Sequence, residues 1–186
     1  MVTDTRLQIN TGWLSCAKRS ECDHFDCRPI EHDISLLVIH NISLPPGEFG
    51  GPHIVDFFAG KLQPDHHPFF EQIYQMRVSS HLLIRRDGEI VQFVGFEQRA
   101  WHAGVSSFQG RTRCNDFSIG IELEGTDNDA YSEAQYKSLV HVTKVIMHNY
   151  PAISLGRIVG HNDIAPGRKT DPGSSFDWAQ YRQQLG

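Results

Sequence analysis

FSIGIELE, residues 117–124, is the stretch that decides the fold. Phe117, Ile119, Ile121 and Leu123 alternate with Ser118, Gly120, Glu122 and Glu124. That two-residue period belongs to a β-strand, whose successive side chains point to opposite faces. The pattern predicts a strand with one apolar face. Glu122 lies in its middle, between Ile121 and Leu123. Among such neighbours its carboxylate is partly desolvated, which raises its pKa toward values useful for proton transfer. On the polar face of an edge strand it is an ordinary solvent-facing glutamate. The pattern alone leaves both readings open.

Beyond this strand, Ser132 and Gln135 form a capping-box signature for a helix over residues 132–149. Tyr136, Leu139, Val140, Thr143, Ile146 and Met147 follow helical spacing, and Pro151 stops the run. Residues 157–160 read as a short strand ending at His161, followed by a loop with two Pro-Gly steps. Asp177 begins a last helix that ends near Leu185. Toward the N-terminus, residues 80–86 and 89–94 flank Asp87-Gly88, a hairpin signal that predicts a two-residue turn with positive φ. Short helices are expected over residues 53–59, with Pro52 near the start, and from Pro68 through Met76. Residues 35–41 are a short apolar run that ends in His40 and then meets Pro45-Pro46-Gly47, which reads as a buried strand. The first third is loop-rich, most of all up to about residue 33. No repeat, low-complexity tract or linker divides the chain. The expectation is one domain over residues 1–186, of mixed α/β (α+β) class, with a sheet flanked by helices.

Composition narrows the function classes. The chain has 186 residues, 39% hydrophobic and 21% charged, enough to bury a core. Its net charge of −5 disfavours non-specific binding to nucleic acid or to an anionic membrane. No apolar run is long enough to span a bilayer, and residues 1–20 lack the apolar core of a signal peptide. A cytoplasmic location is expected. Cys16, Cys22, Cys27 and Cys114 are then expected as thiols. Cys16, Cys22, His24 and Cys27 offer three sulfurs and a nitrogen to a structural zinc, although their spacing matches no common zinc module.

Among 11 histidines, His40 and His161 are placed alike, each at the C-terminal end of a short apolar strand. Sites gather at such strand ends in mixed α/β sheets. Asp171 follows His161 across the Pro/Gly-rich loop. Two imidazoles and a carboxylate suit zinc with a fourth, open position; separate histidines with satisfied rings are the competing reading. Lys169, two residues before Asp171, reaches a developing oxyanion if Asp171 binds metal, and is otherwise a solvated loop lysine. Trp101, in Trp101-His102-Ala103-Gly104, is either a platform for a sugar or peptide or a core anchor. Arg77 and Arg113 suit bidentate pairing with carboxylates, or are surface arginines.

Three ordered blocks carry a resemblance. LLVIHNISLPPGEFGG (36–51), RRDGEIVQFVGFEQRAWHAGVSSFQGRTRCNDFSIGIELEGTD (85–127) and GHNDIAPGRKTDPG (160–173) resemble the motifs of AmpD-type anhydro-N-acetylmuramoyl-L-alanine amidases. That family is related to phage amidases and peptidoglycan-recognition proteins. The similarity runs from about Gly12 to the end of the chain. It implies a mixed central sheet flanked by helices, with one zinc ion held by His40, His161 and Asp171 in a surface groove. It further implies Glu122 as catalytic acid/base, Lys169 as catalytic lysine, and substrate contacts at Asn41, Arg77, Trp101, Arg113 and Ala165. Phe69 stands where some relatives carry tyrosine. The implied reaction is zinc-dependent hydrolysis of the amide between anhydro-N-acetylmuramic acid and L-alanine in cytoplasmic muropeptides, during cell-wall recycling. The implied partner is that small soluble muropeptide, with no nucleic acid, membrane or obligatory protein partner. The alternatives are a muropeptide-binding module that does not cut, and an amidase acting on polymeric peptidoglycan.

Overall fold

A six-stranded mixed sheet forms the centre of the computed structural model, which describes residues 7–20 and 22–186. Residues 1–6 and Glu21, part of the single domain expected over 1–186, lie outside the described residues. In chain order the strands are β1 (Lys18–Arg19), β2 (Leu36–Ile42), β3 (Leu82–Ile84), β4 (Ile90–Gln92), β5 (Ser118–Glu124) and β6 (Ile158–Gly160). Their order in space is β6-β2-β5-β3-β4-β1. β6, β2, β5 and β3 run parallel, β4 returns antiparallel to β3, and β1 lies parallel to β4 at the far edge.

β5 has a parallel partner on each side, and all seven of its residues are buried. The expected single apolar face is corrected here: the polar face is covered as well. Crossover connections between parallel strands lay chain over both faces of a sheet, which leaves no solvent-facing side at its centre. Ile119, Ile121 and Leu123, with Leu37 and Ile39 of β2, pack into the main core. Leu139, Val142 and Ile146 of α3 (Glu133–Asn149) and Tyr181 of α5 (Trp178–Leu185) complete it. On the other face Leu36 and Val38 meet Ala103, Cys114 and Phe117 from the chain preceding β5. A second cluster joins Leu83, Val91 and Phe93 to Phe57 and Phe58 of α1 (His53–Phe58) and Phe70 of α2 (Phe70–Ile73). α2 ends well before Met76, where the sequence reading placed its end.

The capping box of α3 is present as the sequence predicts. Ser132 Oγ accepts from the Gln135 amide at 3.1 Å, and Gln135 Oε1 accepts from the Ser132 amide at 3.1 Å. Gln135 Nε2 continues inward and donates to the carbonyls of Glu124 (2.9 Å) and Ile84 (3.3 Å), at the ends of β5 and β3. The β3–β4 hairpin departs from expectation in its turn. Ile84 pairs with Ile90, and only Gly88 takes positive φ, at 88°. The Asp87 carboxylate accepts from the Glu89 amide at 2.9 Å, an Asx-type bond that suits an ordinary turn conformation at Asp87. A type I turn closed by a left-handed glycine therefore replaces the two-residue turn.

The segment up to residue 33 is more ordered than its composition suggests. It holds β1 and two small antiparallel ribbons, Ile9–Asn10 with Trp13–Leu14 and Phe25–Cys27 with Gln98–Ala100. The buried Arg28 guanidinium fastens it by donating to the carbonyls of Phe96 (2.9 Å), Asn115 (3.2 Å), Asp116 (3.3 Å) and Ser118 (2.8 Å). Among the described residues, no helix is long and apolar enough to cross a membrane.

Candidate metal centre and active site

Strand register builds the site. Glu122 of β5 pairs directly with His40 of β2, so the two side chains rise from the same face near the C-terminal ends of parallel strands. β6 lies on the other side of β2, and His161 follows it at once. The sequence reading has a loop starting there; instead His161 opens a single helical turn, α4 (His161–Ile164). The Asp163 carboxylate holds that turn by accepting from the Gly160 amide at 2.8 Å. The following loop doubles back, with the Asn162 amide donating to the Asp171 carbonyl at 3.0 Å. Asp171 thereby meets both histidines. His40 Nδ1 and His161 Nδ1 are 2.9 Å apart, and each lies 3.0 Å from Asp171 Oδ2.

The chemistry of this donor set fits a cation. His40 and His161 are 1% and 3% exposed, and burial pulls the His40 pKa down to about 4, so its ring is neutral near pH 7. His161 Nε2 lies 3.1 Å from the Ala103 carbonyl, which can only accept, so the ring hydrogen sits on Nε2. The Nδ1 lone pair of His161 then faces the Asp171 oxygen and His40 Nδ1, an arrangement that a shared cation stabilises. Tetrahedral zinc, with bonds of ~2.0–2.2 Å to nitrogen and oxygen, spaces its donors by roughly 3.3–3.5 Å, a few tenths of an ångström wider than this triangle. Among the described residues, this is the one group of three or more histidine, cysteine or carboxylate ligands that converges. Cys16, Cys22, His24 and Cys27 do not gather; Cys22 is buried, its sulfur accepting from the His24 amide at 3.4 Å.

Glu122 faces the same space. Burial first, and the Asp171 carboxylate second, push its pKa well above the usual carboxyl range. Its Oε2 is buried without a hydrogen-bond partner in the protein. A carboxyl so placed is available for proton exchange with a molecule in the groove. The groove measures about 730 Å³, a size suited to a small ligand, and has two unlike walls. Phe57, Phe58, Phe69 and Ile73 make an apolar wall; Asn41, Asp127, Asn128 and Lys169 make a polar one. Asn41 Nδ2 donates to Asp127 Oδ1 at 2.8 Å, a partner that sequence reasoning missed because nothing in the chain marks that pairing.

The remaining predicted residues divide. Trp101 lines the groove and is also anchored: its indole N–H donates to Asp26 at 3.2 Å, its amide to Ser79 Oγ at 2.9 Å, and His24 stacks near it. Platform and anchor are therefore one residue. Arg77 is exposed, 5.9 Å from the Trp101 ring centre, beside the groove rather than in its lining. Arg113 is exposed, pairs with Asp116 at 3.3 Å, and does not line the groove. Ala165 is buried and does not line the groove; its carbonyl accepts from the Arg168 and Lys169 amides at 3.1 Å each.

Residues 31–174 match the model of the N-acetylmuramoyl-L-alanine amidase family, Amidase_2. The chain belongs to this family. The amidase is 62% identical over 174 residues to the Citrobacter freundii protein named 1,6-anhydro-N-acetylmuramyl-L-alanine amidase AmpD, spanning 94% of this chain and 92% of that one. The crystal structure of a selenomethionine AmpD derivative matches it with a TM-score of 0.93 at 59% identity, over 97% of this chain and all of that one, its 100%. A complex of Escherichia coli AmiD with anhydro-N-acetylmuramic acid-L-Ala-D-γ-Glu-L-Lys matches with a TM-score of 0.62 at 28% identity, over 96% of this chain and 65% of that one. The resemblance read from the three sequence blocks, the mixed α/β fold and the amidase activity all agree with these relatives.

Proposed function

We propose that this amidase works as one zinc-amidase domain over residues 1–186 and cleaves the bond between anhydro-N-acetylmuramic acid and L-alanine. Its substrates are small, soluble muropeptides met in the cytoplasm during cell-wall recycling. The observation that carries this reading is the triangle of His40 Nδ1, His161 Nδ1 and Asp171 Oδ2 beside the partnerless Glu122 Oε2, on one groove. The names of the AmpD relatives and the ligand in the AmiD complex support the choice of substrate.

His40, His161 and Asp171 hold the zinc ion, which when bound supplies Lewis acidity to polarise the scissile carbonyl and to acidify water. Glu122 takes the proton of the attacking water and returns it to the alanine nitrogen as the C–N bond breaks. Lys169 brings its ammonium to the carbonyl oxygen as negative charge develops there. Asn41 and Trp101 orient the substrate from the groove walls. Arg77 and Arg113, exposed outside the groove lining, hold carboxylates of the part of the stem peptide that extends beyond the groove, and Ala165 contributes from the loop that carries Lys169. Arg77→Ala and Arg113→Ala are each expected to raise KM while kcat stays within a few-fold; steady-state kinetics that leave KM unchanged remove that arginine from the site.

The direct test measures zinc content and hydrolysis together. Chelated protein should lose turnover of a soluble anhydro-muropeptide and regain it on addition of zinc. Full turnover by verified metal-free protein would sink the reading. Equal rates on intact sacculi and on the soluble fragment would reject the recycling role.

A further inference from the structure

We propose that His102 is a positioning residue for the metal centre, its Nδ1 accepting a hydrogen bond from His40 Nε2–H so that His40 Nδ1 keeps its lone pair turned to His161 and Asp171. This rests on the metal reading above. His102 Nδ1 lies 2.9 Å from His40 Nε2, with the two rings nearly perpendicular at 84°. The other nitrogen of His102, Nε2, lies 3.1 Å from Ser118 Oγ. A hydroxyl can accept, so the chain His40 Nε2–H to His102 Nδ1, then His102 Nε2–H to Ser118, satisfies every atom with both rings neutral. Hydrogen-bonding the far nitrogen of a ligating imidazole fixes its tautomer and orientation and raises its basicity.

The next residue does the same for the other histidine. The Ala103 carbonyl receives His161 Nε2–H at 3.1 Å and is also held by Arg168 Nη2 at 2.6 Å. Asn115 Oδ1 accepts from the amides of both His102 (3.1 Å) and Ala103 (2.8 Å), which locks the pair. One dipeptide thus buttresses both imidazoles, by a side chain in one case and a carbonyl in the other. β5 makes room for it: a Cβ on Gly120 would stand 2.5 Å from His102 Cγ. With both nitrogens engaged, His102 offers none to a substrate, which leaves proton transfer to Glu122.

The test compares wild type, His102→Phe and His102→Asn. Phenylalanine keeps the ring and loses the acceptor; the asparagine Oδ1 falls where Nδ1 stood. Zinc affinity is read by chelator competition and folding by circular dichroism. His102→Phe should bind zinc about 10–100-fold more weakly, and His102→Asn should recover most of that loss. Phenylalanine binding within two-fold of wild type, or both variants weakened alike, overturns the proposal. Wild type that binds no zinc overturns the metal reading instead. Nuclear magnetic resonance on the unsubstituted, zinc-loaded protein decides the matter even if the phenylalanine variant does not fold. A slowly exchanging His40 Nε2–H with nitrogen–nitrogen coupling to His102 Nδ1 supports the hydrogen bond, and a His40 ring proton exchanging at solvent rates overturns it.

Discussion

Glu122 shows what a single buried carboxylate does. It is not one of the three converging donors, so Glu122→Gln should keep zinc while turnover falls ~10²–10⁴-fold, because an amide cannot take and return a proton. Asp171→Ala should lose metal and activity together; zinc stoichiometry and turnover measured on both variants check this division. Burial raises the Glu122 pKa above its ordinary value of 4.5. Between the unfolded and folded values the native state holds the extra proton. The stability that Glu122 contributes is therefore fully present below the unfolded pKa and lost as pH rises through the folded one. Metal-free Glu122→Gln, which cannot ionise, should gain in Tm over metal-free wild type as pH rises from the ordinary carboxyl pKa of 4.5 through the raised folded value. A constant difference across that range would mean that the carboxyl does not titrate in the fold. At this scale the sequence was informative about identity and silent about pairing. His40 and His161 stood out by their strand ends, but the 2.9 Å approach of His102 to His40 spans 62 positions and leaves no local pattern.

Elements were legible in proportion to their length. α3 announced itself through its capping box and helical spacing because 17 residues average out local noise. β1 and the strand Phe25–Cys27, of two and three residues, have too few side chains for a period and are held by partners distant in the chain. The capping box gives a graded prediction. Ser132→Ala removes one cap and should cost about 1 kcal/mol in urea unfolding. Gln135→Leu should cost more, ~1–3 kcal/mol, because it also deprives the Glu124 and Ile84 carbonyls of a donor inside the fold. On β5, Gly120→Ala pushes a methyl group into the His102 ring, so its zinc affinity should fall as it does in His102→Phe. Chelator competition on folded protein checks this, and unchanged affinity would show that the ring has somewhere else to go.

At the scale of the whole molecule, the three converging donors come from β2, α4 and the loop after it, so metal bound there would be linked to folding. Zinc at ~1,000 times its Kd should add about 4 kcal/mol to stability, read as a rise in thermal midpoint that a chelator reverses. No shift on adding zinc to metal-free protein would mean that the three donors do not act as a site. The fold class was legible because periodicity switches from two to 3.6 along the chain; the strand order was not, since it depends on which crossovers pack. That order also has a meaning in time. β2, β3, β4 and β5 occupy neighbouring places in the sheet and are synthesised before β6, His161 and Asp171. The strands bearing His40 and Glu122 are thus complete while two of the three converging donors are still to be made. A chain cut short before residue 161 would carry one of the three converging donors, His40, and could not close the triangle.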